Sequence, residues 1–171
     1  MRLLIPFLCI SIGLSSPLLA DELILVGGGD VAYPTGWFSE LAAKRGTRLF
    51  NGIAPHLSEA HLRFLSLESP VTHLKPTAKK SYPMVMAPRF LRILHKVGFN
   101  LYSLANNHTG DAGEQGVKDT LAQLLSLSTP EKPLYWAGAG LSKTARSKTA
   151  YFSVPGTEAR VAFLAFRLSG S

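Results

Sequence analysis

The chain has almost no cysteine. Cys9 is the only one and lies within the first twenty residues, so disulfides cannot stabilise residues 21–171. Charge is sparse too, at 17% of residues, which excludes a disordered acidic or basic tail. Acidic residues are the scarcer sign, 11 against 18 lysines and arginines, for a net +7. The basic residues are dispersed and no nucleic-acid motif is visible, so nucleic acid is not an expected partner. No internal repeat, interdomain linker or low-complexity tract is present. What remains is 171 residues with 46% hydrophobic content, enough for the core of one domain.

Residues 1–20 stand apart. Met1-Arg2 is a minimal basic start, and Leu3 to Leu19 is mostly apolar with Gly13 and Pro17 inside it. Ala20 precedes Asp21-Glu22, which reads as a secretory signal cut after Ala20. The alternative is an uncleaved signal anchor, weakened by Pro17 and by a stretch short of the usual span of about 20 residues. The expected location is therefore secreted, periplasmic or at the cell envelope, with membrane anchoring by the uncleaved signal as the alternative. Without Arg2 the remaining residues 21–171 carry +6. Such a surface favours anionic partners, here phosphorylated or carboxylated envelope polymers, although solubility alone also accounts for it.

Short apolar runs alternate with helical patterns. Glu22–Gly28 reads as a strand buried on both faces and closing in glycines. Trp37–Lys44 reads as a helix stopped by Gly46, and a second short helix is expected around Ile53–Ala60. His61–Ser66 is the next strand, ending at Glu68. A basic, proline-bearing loop covers Val71–Ala87. Pro88 opens a helix with Phe90, Leu91, Leu94 and Val97 inward, and Gly98 ends it. Asn100–Ala105 is the third strand. Asp111, three residues before Glu114, reads as the cap of a helix with Val117, Leu121, Leu124 and Leu125 inward. Leu134–Ala137 is a fourth strand, and Tyr151–Val154 with Arg160–Leu168 form a hairpin. This order predicts an α/β sheet. The chain stops directly after a strand, which reads as a stop in mid-domain.

Three strand ends carry the candidate chemistry. Open α/β sheets place ligands at the carboxyl ends of their strands. Asp30 follows three glycines, and a carboxylate there suits a divalent metal, or else a turn bonding its own backbone. Glu68 lies in Leu65-Ser66-Leu67-Glu68-Ser69-Pro70, where an acid in apolar context needs a partner or a metal, unless the strand has already ended. Asn106-Asn107-His108-Thr109 crowds two amides and an imidazole at the third strand's end. An amide oxygen can ligate a metal and an imidazole can move a proton. Asn107-His108-Thr109 is also a formal glycosylation acceptor. Lys79, Lys80 and Tyr82 are either anion-binding or a basic surface loop. His56, His61, His73 and His95 show no metal-pair spacing.

Together these segments resemble the CapA-type capsule synthesis proteins, the poly-gamma-glutamate capsule biosynthesis family, itself similar to the calcineurin-like metallophosphoesterases. The resemblance rests on Gly29-Asp30-Val31, Leu67-Glu68-Ser69-Pro70, Lys80-Ser81-Tyr82, Gly98-Phe99-Asn100, Ala105-Asn106-Asn107-His108, Asp111-Ala112-Gly113, Gly116 to Leu121, and Gly138-Ala139-Gly140. It implies an α/β fold of the metallophosphoesterase-like α/β/β/α sandwich type, of which this chain is the N-terminal portion. It implies Asp30, Glu68 and Asn107 around a divalent metal (Mn, Zn, Fe or Mg), His108 as the catalytic proton donor or transition-state stabiliser, and Lys80, Tyr82 and Asn106 toward substrate. Ser66 stands where the family usually has an amide, and the family's later His-Trp-Gly type segment has no counterpart here. The implied function is a hydrolase-type factor in synthesis, export or anchoring of an anionic capsule polymer such as poly-gamma-glutamate, with capsule-synthesis membrane proteins as partners. The alternatives are a non-catalytic polymer-binding module and an inactive truncated fragment.

Overall fold

Four short strands, all parallel, build the principal sheet in the computed structural model, which describes residues 22–32 and 43–168. The expected leader at residues 1–20 and most of the expected Trp37–Lys44 helix lie outside the described residues. The strands are β1 (Leu25–Val31), β2 (Leu62–Leu67), β3 (Leu101–Ser103) and β4 (Tyr135–Ala137), and their spatial order is the order of the chain. Between them come a 3-10 turn (Gly46–Phe50), α1 (Ala54–Ser58), α2 (Pro88–Val97) and α3 (Gly113–Leu127); α4 (Lys143–Arg146) comes after β4. Right-handed crossovers in a sequentially ordered sheet put the connecting helices on one face. The core agrees. Leu65, Leu67, Tyr102 and Leu104 pack with Phe90, Leu91, Leu94 and Leu124 in one cluster. Each such fully buried side chain contributes about 1.5–3 kcal/mol.

The other face meets a second, two-stranded antiparallel sheet of β5 (Ala150–Ser153) and β6 (Arg160–Phe163). Leu62 and Leu101 pack there against Val154, flanked by Phe64, Phe152 and Phe163. The Phe64 and Phe163 rings meet edge-on at 6.0 Å, and Tyr135 stacks on Phe152 at 3.6 Å. The fold is α/β, as expected, with helices, a parallel sheet and a second sheet as successive layers.

Local chemistry explains the boundaries. Pro88 occupies the first turn of α2, and Gly98 closes it at φ 112°, a left-handed conformation that glycine adopts without a Cβ penalty. At the opposite end of the sheet from the strand tips, the Asn100 amide accepts from the Arg63 N–H at 2.8 Å and donates to the His61 carbonyl at 3.0 Å, fixing β2 against β3.

Four expectations are corrected. The first strand is not buried on both faces: β1 runs on to Val31 and is mostly exposed. Asp111 does not cap α3: Ala112 holds the cap position without a side-chain bond, and the Asp111 carboxylate turns elsewhere. Leu125 is 68% exposed; the buried line of α3 is Gly116, Thr120 and Leu124, one step of about 100° away. That line is narrow because Gly116 lies against Pro70 and Thr120 Oγ1 accepts from the Val71 N–H at 2.8 Å. Finally, β6 ends at Phe163 rather than Leu168, because its partner begins at Ala150 and the ladder has no further rung.

Candidate functional site at the strand tips

The glycines before Asp30 aim it. Gly27 pairs with Phe64, but Asp30 pairs with Ser66, so β1 carries one extra residue in this interval. A one-residue bulge reverses the facing of everything beyond it. Without it Asp30 would face the helices. With it Asp30 joins the row Asp30, Ser66, Ser103, Ala137 on the face toward β5 and β6. Glu68 lies two residues past Ser66 and therefore shares that face, and its N–H donates to the Val31 carbonyl at 3.1 Å.

The two acids meet. Burial pushes the Glu68 carboxyl above its ordinary range. The adjacent Asp30 charge and a hydrogen bond shared with Asp30 push the same way, while His108 and Lys80 pull it back. Asp30 is exposed and Glu68 half-buried. Two carboxylates held together in this way form a hard oxygen donor pair, the chemistry preferred by divalent cations such as Mg²⁺ or Mn²⁺. Among the described residues no group of three or more His, Cys, Asp and Glu side chains gathers as a metal cage. A cation on this pair would therefore complete its coordination with groups other than further His, Cys, Asp or Glu side chains among the described residues, water included. The donor pair fits a hydrated ion.

The turn after β3 is tied to Glu68 through Asn106. The Asn106 amide nitrogen donates to the Leu67 carbonyl at 2.9 Å. Its oxygen accepts from the N–H groups of His108 and Thr109 at 3.0 and 2.9 Å. The amide is thus spent inside the protein, and Thr109 further anchors the turn by donating to the Leu104 carbonyl. Gly138, at φ 97°, passes so close to Ala105 that an added Cβ would lie 2.6 Å from the alanine side chain, so the loop after β4 also braces this turn. Asn107 is exposed and its side chain makes no hydrogen bond to either acid.

His108 is held from behind. Its Nδ1 lies 2.8 Å from Asp111 Oδ2. Asp111 is 2% exposed, and it also accepts from the Met84 N–H at 2.7 Å and pairs with the Lys80 ammonium at 2.6 Å. Burial works to raise the Asp111 pKa, but Lys80, the Met84 N–H and His108 outweigh it, leaving it below the ordinary aspartate range. The Lys80 ammonium also donates to the Asn107 carbonyl at 2.9 Å. Tyr82 stands 81% exposed on the same loop, and Arg167 reaches the Asn106 carbonyl at 3.4 Å.

Of the sequence candidates, then, Asp30, Glu68, Lys80 and His108 converge. Asn106 supports them from below, while Asn107 and Tyr82 lie at the rim. Asp111 is a hub that carries no distinguishing sequence signal, because its spacing to Glu114 matches a capping box equally well. Arg167 likewise carries no local signal. A cleft of about 530 Å³ lies elsewhere, at the amino ends of the strands between Arg63, His95, Asn100 and Lys132, and contains none of the candidate residues. Its volume is within the ligand range, and its Arg63 guanidinium is engaged by the carbonyls of Leu57 and Gly98 at the ends of α1 and α2.

No curated protein sequence matches the chain. The family model described as bacterial capsule synthesis protein PGA_cap matches residues 24–170, a range that contains every candidate residue above. The chain belongs to that family, a metallophosphoesterase-like one, and this links it to capsule synthesis.

Proposed function

We propose that this chain is an exported capsule-synthesis factor with a metal-assisted, hydrolase-type site that acts on an anionic polymer such as poly-gamma-glutamate or on its phosphorylated or carboxylated intermediates. The observation that carries this reading is the Asp30–Glu68 pair, brought onto one face by the β1 bulge beside His108 and Lys80. Asp30 and Glu68, with Asn107, would hold a divalent metal. When bound, such an ion lowers the pKa of a coordinated water and neutralises developing negative charge.

The chain's own groups supply the rest. Donation from His108 Nδ1 to Asp111 fixes the ring and leaves Nε2 to give or take a proton at the reacting oxygen. Lys80 and Arg167 bring positive charge to the rim, where a phosphoryl or carboxyl group would enter. Tyr82 offers a hydroxyl beside them. The leader of residues 1–20 supports export; no helix among the described residues is long and apolar enough to cross a membrane.

The test is metal content and Mn²⁺-dependent hydrolysis of bis(p-nitrophenyl) phosphate by the full chain. Asp30→Ala should lose metal and activity together. His108→Ala should keep metal and lose at least about 100-fold in turnover. Unchanged metal content in Asp30→Ala, or unchanged turnover in His108→Ala, would refute the assigned roles. The +6 charge of residues 21–171, with Lys75, Lys79, Lys80, Lys143, Arg146 and Lys148, supports one competing reading, a non-catalytic module that holds the polymer by charge. That reading predicts polymer binding without hydrolysis, screened at physiological salt over about 8–10 Å.

A further inference from the structure

The segment 77–84 has no regular secondary structure, yet a single residue holds it at both ends and in the middle. The Asp111 carbonyl accepts from the N–H groups of Thr77 and Ala78 at 2.7 and 3.0 Å. Its Oδ2 accepts from the Met84 N–H at 2.7 Å, and its Oδ1 pairs with Lys80 at 2.6 Å. The same Oδ2 faces His108 Nδ1. One nearly buried aspartate thus bonds the start, centre and end of an exposed segment and also the imidazole beside the acid pair.

The hydrogen-bond arithmetic at Lys80 points to a use. The ammonium has three N–H donors and no acceptor. Asp111 Oδ1 and the Asn107 carbonyl take two. His108 Nδ1 lies 3.0 Å from the ammonium, but a ring nitrogen that donates to Asp111 Oδ2 at 2.8 Å cannot also accept. The carboxylate contact is the shorter one and has opposite charges in its favour. Among the described residues one Lys80 N–H therefore has no acceptor, on a side chain 32% exposed.

We propose that Asp111 is a positioning residue that latches the 77–84 segment over the strand tips, so that one carboxylate aims both the His108 ring and the free Lys80 N–H at an incoming phosphate or carboxylate group. The proposal rests on the reading of the strand tips as an anion-processing site. It goes further by making the loop a docked recognition arm whose placement depends on Asp111.

The experiment compares the full chain with Asp111→Asn, Lys80→Gln and the double variant. Amide hydrogen exchange at Thr77, Ala78 and Met84 reads the latch, and inorganic phosphate titrated by NMR reads the arm. Asparagine keeps the backbone carbonyl but loses the ion pair and replaces the charged acceptor of the Met84 N–H with a weaker, neutral one. Lys80→Gln should weaken phosphate about tenfold or more while exchange at Thr77 and Ala78 stays unchanged. Asp111→Asn should weaken phosphate to a similar degree and speed exchange at Met84. The double variant should be no weaker than Asp111→Asn alone, since the Lys80 N–H acts only while Asp111 aims it. Additive losses, or unchanged phosphate affinity in Asp111→Asn, would overturn the arm. Unchanged exchange at Met84 would overturn the latch. Exchange needs no activity, so a folded wild type that binds phosphate through Lys80 but hydrolyses nothing would sink the hydrolase reading and leave the latch standing.

Discussion

Glu68 and Asp111 are acids at the same end of the same sheet, and their surroundings drive them in opposite directions. Glu68 is raised by burial and by Asp30. Asp111 is lowered by Lys80, the Met84 N–H and His108 in spite of its burial. The difference separates two uses of a carboxylate. Asp111 has every bond it needs from the chain and serves as structure. Glu68 and Asp30 repel each other and have no cation of their own within bonding distance among the described residues. A like-charge pair of this kind weakens the fold unless a proton or a metal ion joins it.

The largest test of that contrast is Asp111→Ala. It strips a buried acceptor from Lys80, Met84 and His108 together and should destabilise the protein by about 3 kcal/mol, read from urea unfolding. Lys80→Ala leaves Asp111 with two of its partners and should cost less, about 1–2 kcal/mol by the same measurement. Glu68→Gln should do the reverse in metal-free protein, leaving stability unchanged or raising it by up to about 1 kcal/mol, because it relieves the repulsion with Asp30. A loss of stability on that substitution would break the comparison.

The smallest effect is the pH dependence. The Asp111 pKa is depressed on folding, so its contribution is complete above the ordinary aspartate value of 3.8 and is lost as pH falls through the lowered value. The Glu68 pKa is raised, so its contribution is complete below the ordinary glutamate value of 4.5 and is lost as pH rises through the raised value. Urea midpoints of metal-free protein at increasing pH above the glutamate value of 4.5 should therefore show a small decline from Glu68. Asp30→Asn should reduce that decline, leaving the larger part due to burial, and a decline of equal size in the variant would contradict the pairing.

Much of this arrangement was legible in the residues. Apolar runs followed by polar tips marked β1, β2 and β3, and Pro88 with Gly98 bounded α2. Asp30, Glu68 and His108 stood out because chemistry collects at strand ends. What the sequence concealed was register. Three glycines before Asp30 signal a turn or a bulge alike, and only the pairing with Ser66 shows that the bulge decides which face Asp30 takes. Asp111 stayed hidden because a cap and a buried hub look the same three residues before a glutamate. Leu125 was misread because Gly116 and Thr120, which are not hydrophobic, set the buried line of α3.

The proposed chemistry stands or falls with the Asp30–Glu68 pair as a cation site in need of an ion. Calorimetric titration of Mn²⁺ into the metal-free full chain, alongside Asp30→Asn and Glu68→Gln, puts this to the test. One binding event is expected in the wild type and should vanish in both variants, with a matching rise in thermal midpoint only in the wild type. Equal Mn²⁺ affinity in all three proteins would contradict a cation site on this pair.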